Sequence, residues 1–363
     1  MASNPSLLMK CNYCGNVHEL VPCNNCKVKF YCKAEHKDLD LRNHSFECNT
    51  STVSLIQQIL RTEERELRRQ GAKSTPPQDF FEKEVGNFAI LYNTTQYMSY
   101  RGRLVSELLR IQHPYTLDSA LKEAMYTLRL GRGLGPRGVE ACANAAGVLL
   151  RLGRIQECHD ILKGYAATIP VEFEILQPTR RVGNLVLDTK NTDVFEAFNA
   201  HEINKLNLSL CATLILLKYK LLRDVKGLQY SAVLSSKVPQ EILDKIRGYL
   251  VDEVVSKNHR IMKTTDFRAI EESLKSQIQA VNRVVLYDHP RLWPELADAQ
   301  FFRRRPSIIL SREYSMAEYR KYMALIRALE NNLEAWLQTR GAIDYVARGG
   351  LLWGENWWRR IRE

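Results

Sequence analysis

The sequence predicts a mainly α-helical protein with a small cysteine-rich segment at its N-terminal end. Three observations lead there. Six of the nine cysteines fall within the first 48 residues. From Thr52 onward, apolar residues recur at three- and four-residue spacing through long charged stretches, the period of a helix that buries one face. Alternating apolar runs that would read as strands are sparse, so the body reads as all-α.

Residues 1–50 carry too few large apolar side chains to close a core, so metal has to take its place. Residues 51–77 are a helix and linker. Val53, Ile56, Ile59, Leu60 and Leu67 mark the helix, and Thr75-Pro76-Pro77 cannot continue it because proline lacks an N–H and clashes with the preceding turn. Residues 78–363 read as an α-helical domain. Within it, Phe80–Ile111 holds one or two helices ending before Pro114. Thr116–Leu130 opens on Thr116 as its cap, with Leu117, Leu121, Met125 and Leu128 along its apolar face. A glycine-rich break over 131–138 precedes a helical pair, Val139–Leu152 and Ile155–Ala167, jointed at Gly153-Arg154. Residues 169–192 read as irregular or briefly extended, and 193–223, 239–257, 266–286 and 315–339 as long helices. Between the last two lies a proline-punctuated segment, Asp288–Ser307. The tail, Gly349–Glu363, carries Trp353, Trp357 and Trp358, which are expected to pack on the chain's own core.

The jointed pair is similar to a tetratricopeptide repeat. Leu152-Gly153-Arg154-Ile155-Gln156-Glu157-Cys158 continues to Leu162, Tyr165 and Pro170 and follows the small Ala146, so the resemblance implies two closely crossing helices. It covers about one repeat, and a second hairpin near 206–239 matches only in outline; the body is therefore partly tetratricopeptide-like without a repeat array.

Composition removes several function classes. No stretch reaches the ~18 apolar residues of a membrane span; Leu206–Leu217 is interrupted by Asn207 and Ser209 and followed by Lys218 and Lys220. Met1–Lys10 has no long apolar region before a cleavage site, so secretion is not expected. The expectation is an intracellular protein of the cytoplasm, the nucleus or both, in which the sequons at Asn93 and Asn207 go unread and the cysteines stay reduced. The net charge of +11 is dispersed; its densest runs, Arg303-Arg304-Arg305 and Arg359-Arg360, read as a solvated turn and tail, and nucleic-acid binding is not expected.

The clustered cysteines form pairs with histidine: Cys11-x2-Cys14, Cys23-x2-Cys26, Cys32-x3-His36 and His44-x3-Cys48. Zinc prefers four thiolate and imidazole ligands in a tetrahedron, so eight ligands make two closed structural sites, two Zn2+ per chain. The two-residue gaps suit tight turns whose amides point at sulfur. The three-residue gaps put both ligands one turn apart on a helix face. Spacing alone permits either an interleaved assembly, first pair with third and second with fourth, or a sequential one. His18 is not counted as a ligand.

These residues resemble the MYND-type zinc finger over residues 11–48. Tyr31 before Cys32, the interval from His36 to His44, and Asp40 between them fit its pattern. The resemblance implies the interleaved sites: Cys11, Cys14, Cys32 and His36 for one zinc, and Cys23, Cys26, His44 and Cys48 for the other. It also implies an adaptor that contacts other proteins, such as proline-rich peptides, and a process such as transcriptional or developmental regulation. The family's peptide-facing glutamine and tryptophan fall at Lys37 and Leu41, where neither the acceptor nor the indole face is kept. A finger that merely docks on its own helical body is the competing expectation. As a whole the chain is similar to uncharacterised MYND-finger proteins of fungal type, in which the turn at Leu152–Cys158 recurs.

The rival class is an enzyme. Lysine methyltransferases can carry this finger within a strand-rich catalytic domain, and Asn43-His44-Ser45 looks like a fragment of their cofactor-pocket segment; but His44 is committed to zinc and no β-rich stretch follows. Gly131-Arg132-Gly133-Leu134-Gly135 follows a helix instead of a strand and reads as a joint. His113, His159, His201, His259 and His289 read as surface or capped residues, and Cys142, Cys158 and Cys211 as small packing residues. No catalytic set is assigned.

Overall fold

The computed structural model describes residues 10–111, 113–132, 135–168, 185–231, 237–264, 266–298 and 315–347, together with Leu351. The expectations for 169–184, for Arg303-Arg304-Arg305 and for the tryptophan tail lie outside these residues. The described chain is dominated by helices; its sheet is one antiparallel pair, β1 (Val21–Pro22) and β2 (Phe30–Tyr31), with Val21 opposite Tyr31. Among the described residues no helix is long and apolar enough to cross a membrane. The described residues divide into two compact units, one running to Ala145 and one starting at Ala146.

In the first unit the β pair is followed by two short helices, α1 (Ala34–Leu39) and α2 (Leu41–Thr50), which share Asp40 as their junction. A single residue, Ser51, joins α2 to α3 (Thr52–Lys73). Its hydroxyl donates to the Cys48 carbonyl at 3.1 Å and accepts from the Ser54 amide at 3.2 Å, ending one helix and starting the next. Val53, Ile56, Leu60 and Leu67 are buried as their spacing predicts. They belong to a core with α5 (Thr95–Arg110) and α6 (Pro114–Gly131), to which Tyr97, Met98, Leu104, Leu108, Leu121 and Leu128 contribute. A short α4 (Phe80–Lys83) stacks Phe81 against Phe88 and Tyr97.

Thr116 is not the cap of α6. The helix starts earlier, at Pro114, whose fixed φ suits a first turn, and His113 takes the cap position with Nδ1 accepting from the Tyr115 amide at 3.2 Å. Thr116 instead turns back on the chain, donating to the Ile111 and His113 carbonyls.

Helix α7 (Gly135–Arg151) leads into the second unit. Gly153 follows at φ +73°, and the Arg154 amide reaches back to the Leu149 carbonyl at 2.9 Å, a left-handed cap that reverses the chain into α8 (Ile155–Thr168). The Cys158 thiol donates to the Ala146 carbonyl at 3.4 Å, so the two helices cross closely at small residues.

The rest of the second unit comprises α9 (Leu185–Asp188), α10 (Ala200–Lys205), α11 (Leu208–Ser231), α12 (Gln240–Leu250), α13 (Glu253–Ser256), α14 (His259–Met262), α15 (Arg268–Asp288), α16 (Leu292–Ala297), α17 (Met316–Gln338) and α18 (Ala342–Ala347). Helix α11 is buried on nearly every side and packs against α8, α12, α15 and α17. Asn332 on α17 fastens it: the side chain accepts from Thr213 Oγ1 at 2.8 Å and donates to the Ser209 carbonyl at 3.1 Å. Gly147 on α7 lets the backbone of α17 approach; a Cβ there would lie 2.6 Å from the Asn331 carbonyl oxygen.

Two long helices expected from the sequence are broken. The stretch 193–223 contains α10 and α11, separated at Leu206-Asn207, where the Asn207 side chain accepts from the Leu210 amide at 2.9 Å and starts α11 afresh. Residues 193–199 ahead of them are not helical; Lys218 Nζ takes the Val194 and Glu196 carbonyls at 2.6 and 2.7 Å. The stretch 239–257 breaks at Val251-Asp252, where the Asp252 amide donates to buried Asp224 at 2.8 Å and α13 starts separately.

Candidate metal centre

The short β pair and the two helices after it bring the eight cysteine and histidine side chains into two groups of four. One is Cys11, Cys14, Cys32 and His36; the other is Cys23, Cys26, His44 and Cys48; in each, the donor atoms lie within 4.8 Å of one another. This is the interleaved arrangement. The turn Cys11–Gly15 and the end of β2 supply the first group with His36 of α1. The turn Cys23–Lys27 faces α2, which carries His44 and Cys48, for the second.

Donor spacing tests the fit to a metal. A tetrahedral zinc bound by sulfur at ~2.3 Å and nitrogen at ~2.0 Å sets its ligand atoms roughly 3.5–3.8 Å apart. In the first group Cys14 Sγ and Cys32 Sγ are 3.5 Å apart, and Cys11 Sγ and His36 Nδ1 3.7 Å. In the second, Cys23 Sγ and Cys48 Sγ are 3.7 Å apart, and Cys26 Sγ and His44 Nε2 3.5 Å. The donor type and number suit Zn2+, and the separations lie in or just below that range, the shortest being 3.2 Å between Cys32 Sγ and His36 Nδ1. The two histidines present different nitrogens, Nδ1 of His36 and Nε2 of His44.

The electrostatics also call for a cation. Burial opposes ionisation of Cys11 and Cys23, yet amide N–H groups of the turns (with His44 beside Cys23) hold both thiols down to about 6. Cys26 is pushed up to about 11, first by burial and then by the neighbouring Cys23 and Cys48 sulfurs. Three sulfurs in so small a volume cannot all ionise cheaply, and a divalent ion would remove that cost.

Tyr31 and Asp40 have a structural part in the site. The Tyr31 hydroxyl donates to Asp40 Oδ2 at 2.8 Å, both residues being buried, and this bond ties the end of β2 to the junction between the two ligand-bearing helices. Burial, with the Asp40 carboxylate next, raises the phenol's pKa, so it remains a donor. Asn12 brackets β2 by exchanging two bonds of 2.8 Å with the Phe30 backbone. Asn25 Nδ2 donates to Cys48 Sγ at 3.3 Å. Neither asparagine stands out in the sequence beyond its place inside a Cys-x2-Cys turn.

The finger is seated on its own helical unit, a contact with no sequence signal beyond the apolar character of the residues. Phe30, 3% exposed, lays its ring 4.3 Å from that of His113, and Ile111 packs against the cysteine cluster. Elsewhere the finger shows apolar side chains to solvent, including Val21, Val28, Leu39 and Leu41. Lys37 is half-buried on α1, and Leu41 is 54% exposed at the start of α2, so the two lie on either side of the Asp40 junction. His18 is exposed and belongs to neither group.

His159 departs from its reading as a surface or capped residue. It is fully buried on α8, with Nδ1 2.8 Å from Thr192 Oγ1, and burial lowers its pKa to about 3, with Lys218 and Lys163 adding to the effect. Its place on the inner face of a helix beside Cys158 and Leu162 is the signal that was available. Cys142, Cys158 and Cys211 are buried, as expected of packing residues. His44 of the Asn43-His44-Ser45 segment faces the second sulfur group.

No curated protein and no solved structure matches the chain. The family model that does match describes the MYND finger and spans residues 11–48, from the first ligand of one site to the last ligand of the other.

Proposed function

We propose that this chain is an adaptor that recruits another protein through the solvent-facing apolar residues of its zinc-built finger, and that it works by binding, without catalysis. MYND fingers are zinc-binding modules that mediate protein–protein interaction, and two sites suited to zinc are assembled in this one. The observation that carries the reading is Leu39 and Leu41, 59% and 54% exposed, flanking the Asp40 junction that the Tyr31 bond holds in shape. Short apolar side chains on a rigid frame are placed to meet a partner at little entropic cost. A proline-rich peptide is the occupant suggested by the family; with Leu41 in the tryptophan's place, such a peptide would gain aliphatic contact instead of ring stacking. We place the protein inside the cell, in the cytoplasm or nucleus, where reduced thiolates persist, and in a regulatory process such as transcription or development.

The test is affinity purification from cells with wild type, Cys23→Ala, and a surface variant, Leu39→Glu with Leu41→Glu, that leaves every ligand in place. The surface variant should keep two zinc ions and lose partners that wild type recovers. Identical partner lists from all three chains would overturn the reading.

A further inference from the structure

The two metal groups share the same ligands, three cysteines and a histidine, and nearly the same spacing, but they meet solvent differently. In the second group all four side chains are buried, with Cys48 the most accessible at 8%. Sulfurs of both groups meet donors, Asn25 and the Val28 amide in the second and Asn16 at Cys32 in the first, so accessibility is what separates them. In the first group only Cys11 is buried; Cys14 is exposed, and Cys32 and His36 are half-buried. The exposed sulfur is also the one standing 3.5 Å from a second, partly accessible sulfur, that of Cys32.

We infer that Cys14 and Cys32 are a peroxide-reactive pair, which on oxidation to a disulfide expels the zinc of the first site while the second site keeps its ion. The chemistry balances with a hydroperoxide as the sole co-reactant. The Cys14 thiolate attacks the terminal oxygen, breaking the O–O bond; sulfur becomes a sulfenic acid and the departing hydroxide takes up a proton. The Cys32 thiolate then attacks the Cys14 sulfur, forming the S–S bond and releasing the second hydroxide, which is also protonated. With hydrogen peroxide, two thiolates, one peroxide and two protons give one disulfide and two waters; the sulfurs lose two electrons and the O–O bond gains them. The sulfurs must close from 3.5 Å to about 2.05 Å, a movement within reach of one side chain on the Cys11–Gly15 turn and one just after β2. Of the four residues that would hold the zinc, only Cys11 and His36 would then remain as donors, too few to retain it. The second site loses no ligand. Oxidation thus alters the first site and leaves the second intact.

The inference needs zinc in both sites but does not depend on the adaptor reading. The test uses the full chain, shown by native mass spectrometry to start with two zinc ions, which is itself the check on metal content. Hydrogen peroxide is added stepwise, released zinc is read with a colorimetric chelator, and free thiols are alkylated before peptide mapping without reductant. The expected result is a first phase that releases one zinc per chain, with a crosslink between the peptides carrying Cys14 and Cys32. A reducing agent with added zinc should reverse it. In Cys32→Ser the first phase should lose its crosslink, while the second zinc remains. Release of both ions in one phase would overturn the inference. A Cys23–Cys48 crosslink forming first, or a Cys11–Cys14 crosslink in place of the assigned one, would overturn it as well.

Discussion

Truncating Phe30 to alanine isolates the seating of the finger from the chemistry of its metal sites. The strand itself is retained, because the Phe30 backbone keeps its two bonds to Asn12 and its place opposite Pro22. No ligand is touched. What is lost is a ring 3% exposed, packed on His113 within the cluster that also holds Ile111. Removing a buried phenylalanine typically costs about 3–5 kcal/mol, from lost transfer energy and the cavity left behind. Each structural zinc contributes on the order of 10 kcal/mol, so the finger should stay metallated while the unit that carries it weakens. For a unit of this size 1 kcal/mol shifts the midpoint by roughly 3 °C, so Phe30→Ala should lower the melting temperature of the N-terminal unit by about 10–15 °C. Differential scanning calorimetry gives the midpoint, and native mass spectrometry the zinc count. A melting temperature within a degree or two of wild type, with two zinc ions still bound, would refute the reasoning: the finger would then hang from Ser51 alone.

Three further outcomes are expected. Burial, with Lys163 as a lesser cause, brings Lys218 down to about 7 from 10.5, so between those values the unfolded chain binds the extra proton and stability rises with pH. Urea unfolding at pH 7 and pH 9.5 should show wild type gaining roughly 3 kcal/mol relative to Lys218→Met, and parallel curves would remove that assignment. Asn332→Ala should cost about 1–3 kcal/mol in the same assay because it removes the buried bonds that join α17 to Thr213 and Ser209; a change below 0.5 kcal/mol would mean that water replaces it. Gly147→Ala, which would stabilise an exposed helix by ~1 kcal/mol, should instead destabilise by about 1–3 kcal/mol through its clash with the Asn331 carbonyl. A rise in melting temperature would contradict the close approach.

The metal ligands were legible because a turn or one helical step fixes each pair locally. Their assembly was not, since nothing in the spacing of Cys23 and Cys26 says whether they face Cys11 or His44. That choice is made by the β pair and by the Tyr31–Asp40 bond, which folds α2 back over the second turn. Periodicity found α3, α15 and α17 to within a few residues, because each has a continuous apolar face and, for α17, a capping box at Ser315 and Glu318. It overran at Asn207 and Asp252, where apolar spacing continues across a break made by one side-chain cap or one buried carboxylate. It misplaced the start of α6 because threonine is the commoner cap, whereas Pro114 had already fixed the turn. Buried His159 was missed for a related reason. A polar residue on an apolar face gives no sign of whether its partner, Thr192 in this case, lies far along the chain.

On the proposed adaptor reading, the one-residue passage at Ser51 would set how a captured protein is presented. A finger on a flexible tether would let its cargo sample many directions, and any second contact would have to be won against that freedom. Here α2 runs into α3 without slack, and Phe30 pins the opposite side. If the proposed adaptor reading holds, a peptide bound beside Leu41 would take a fixed bearing relative to α3 and α6. Flanking sequence on that partner would then meet those helices at high local concentration, so that a short motif too weak to hold alone would become selective for the proteins in which it is embedded.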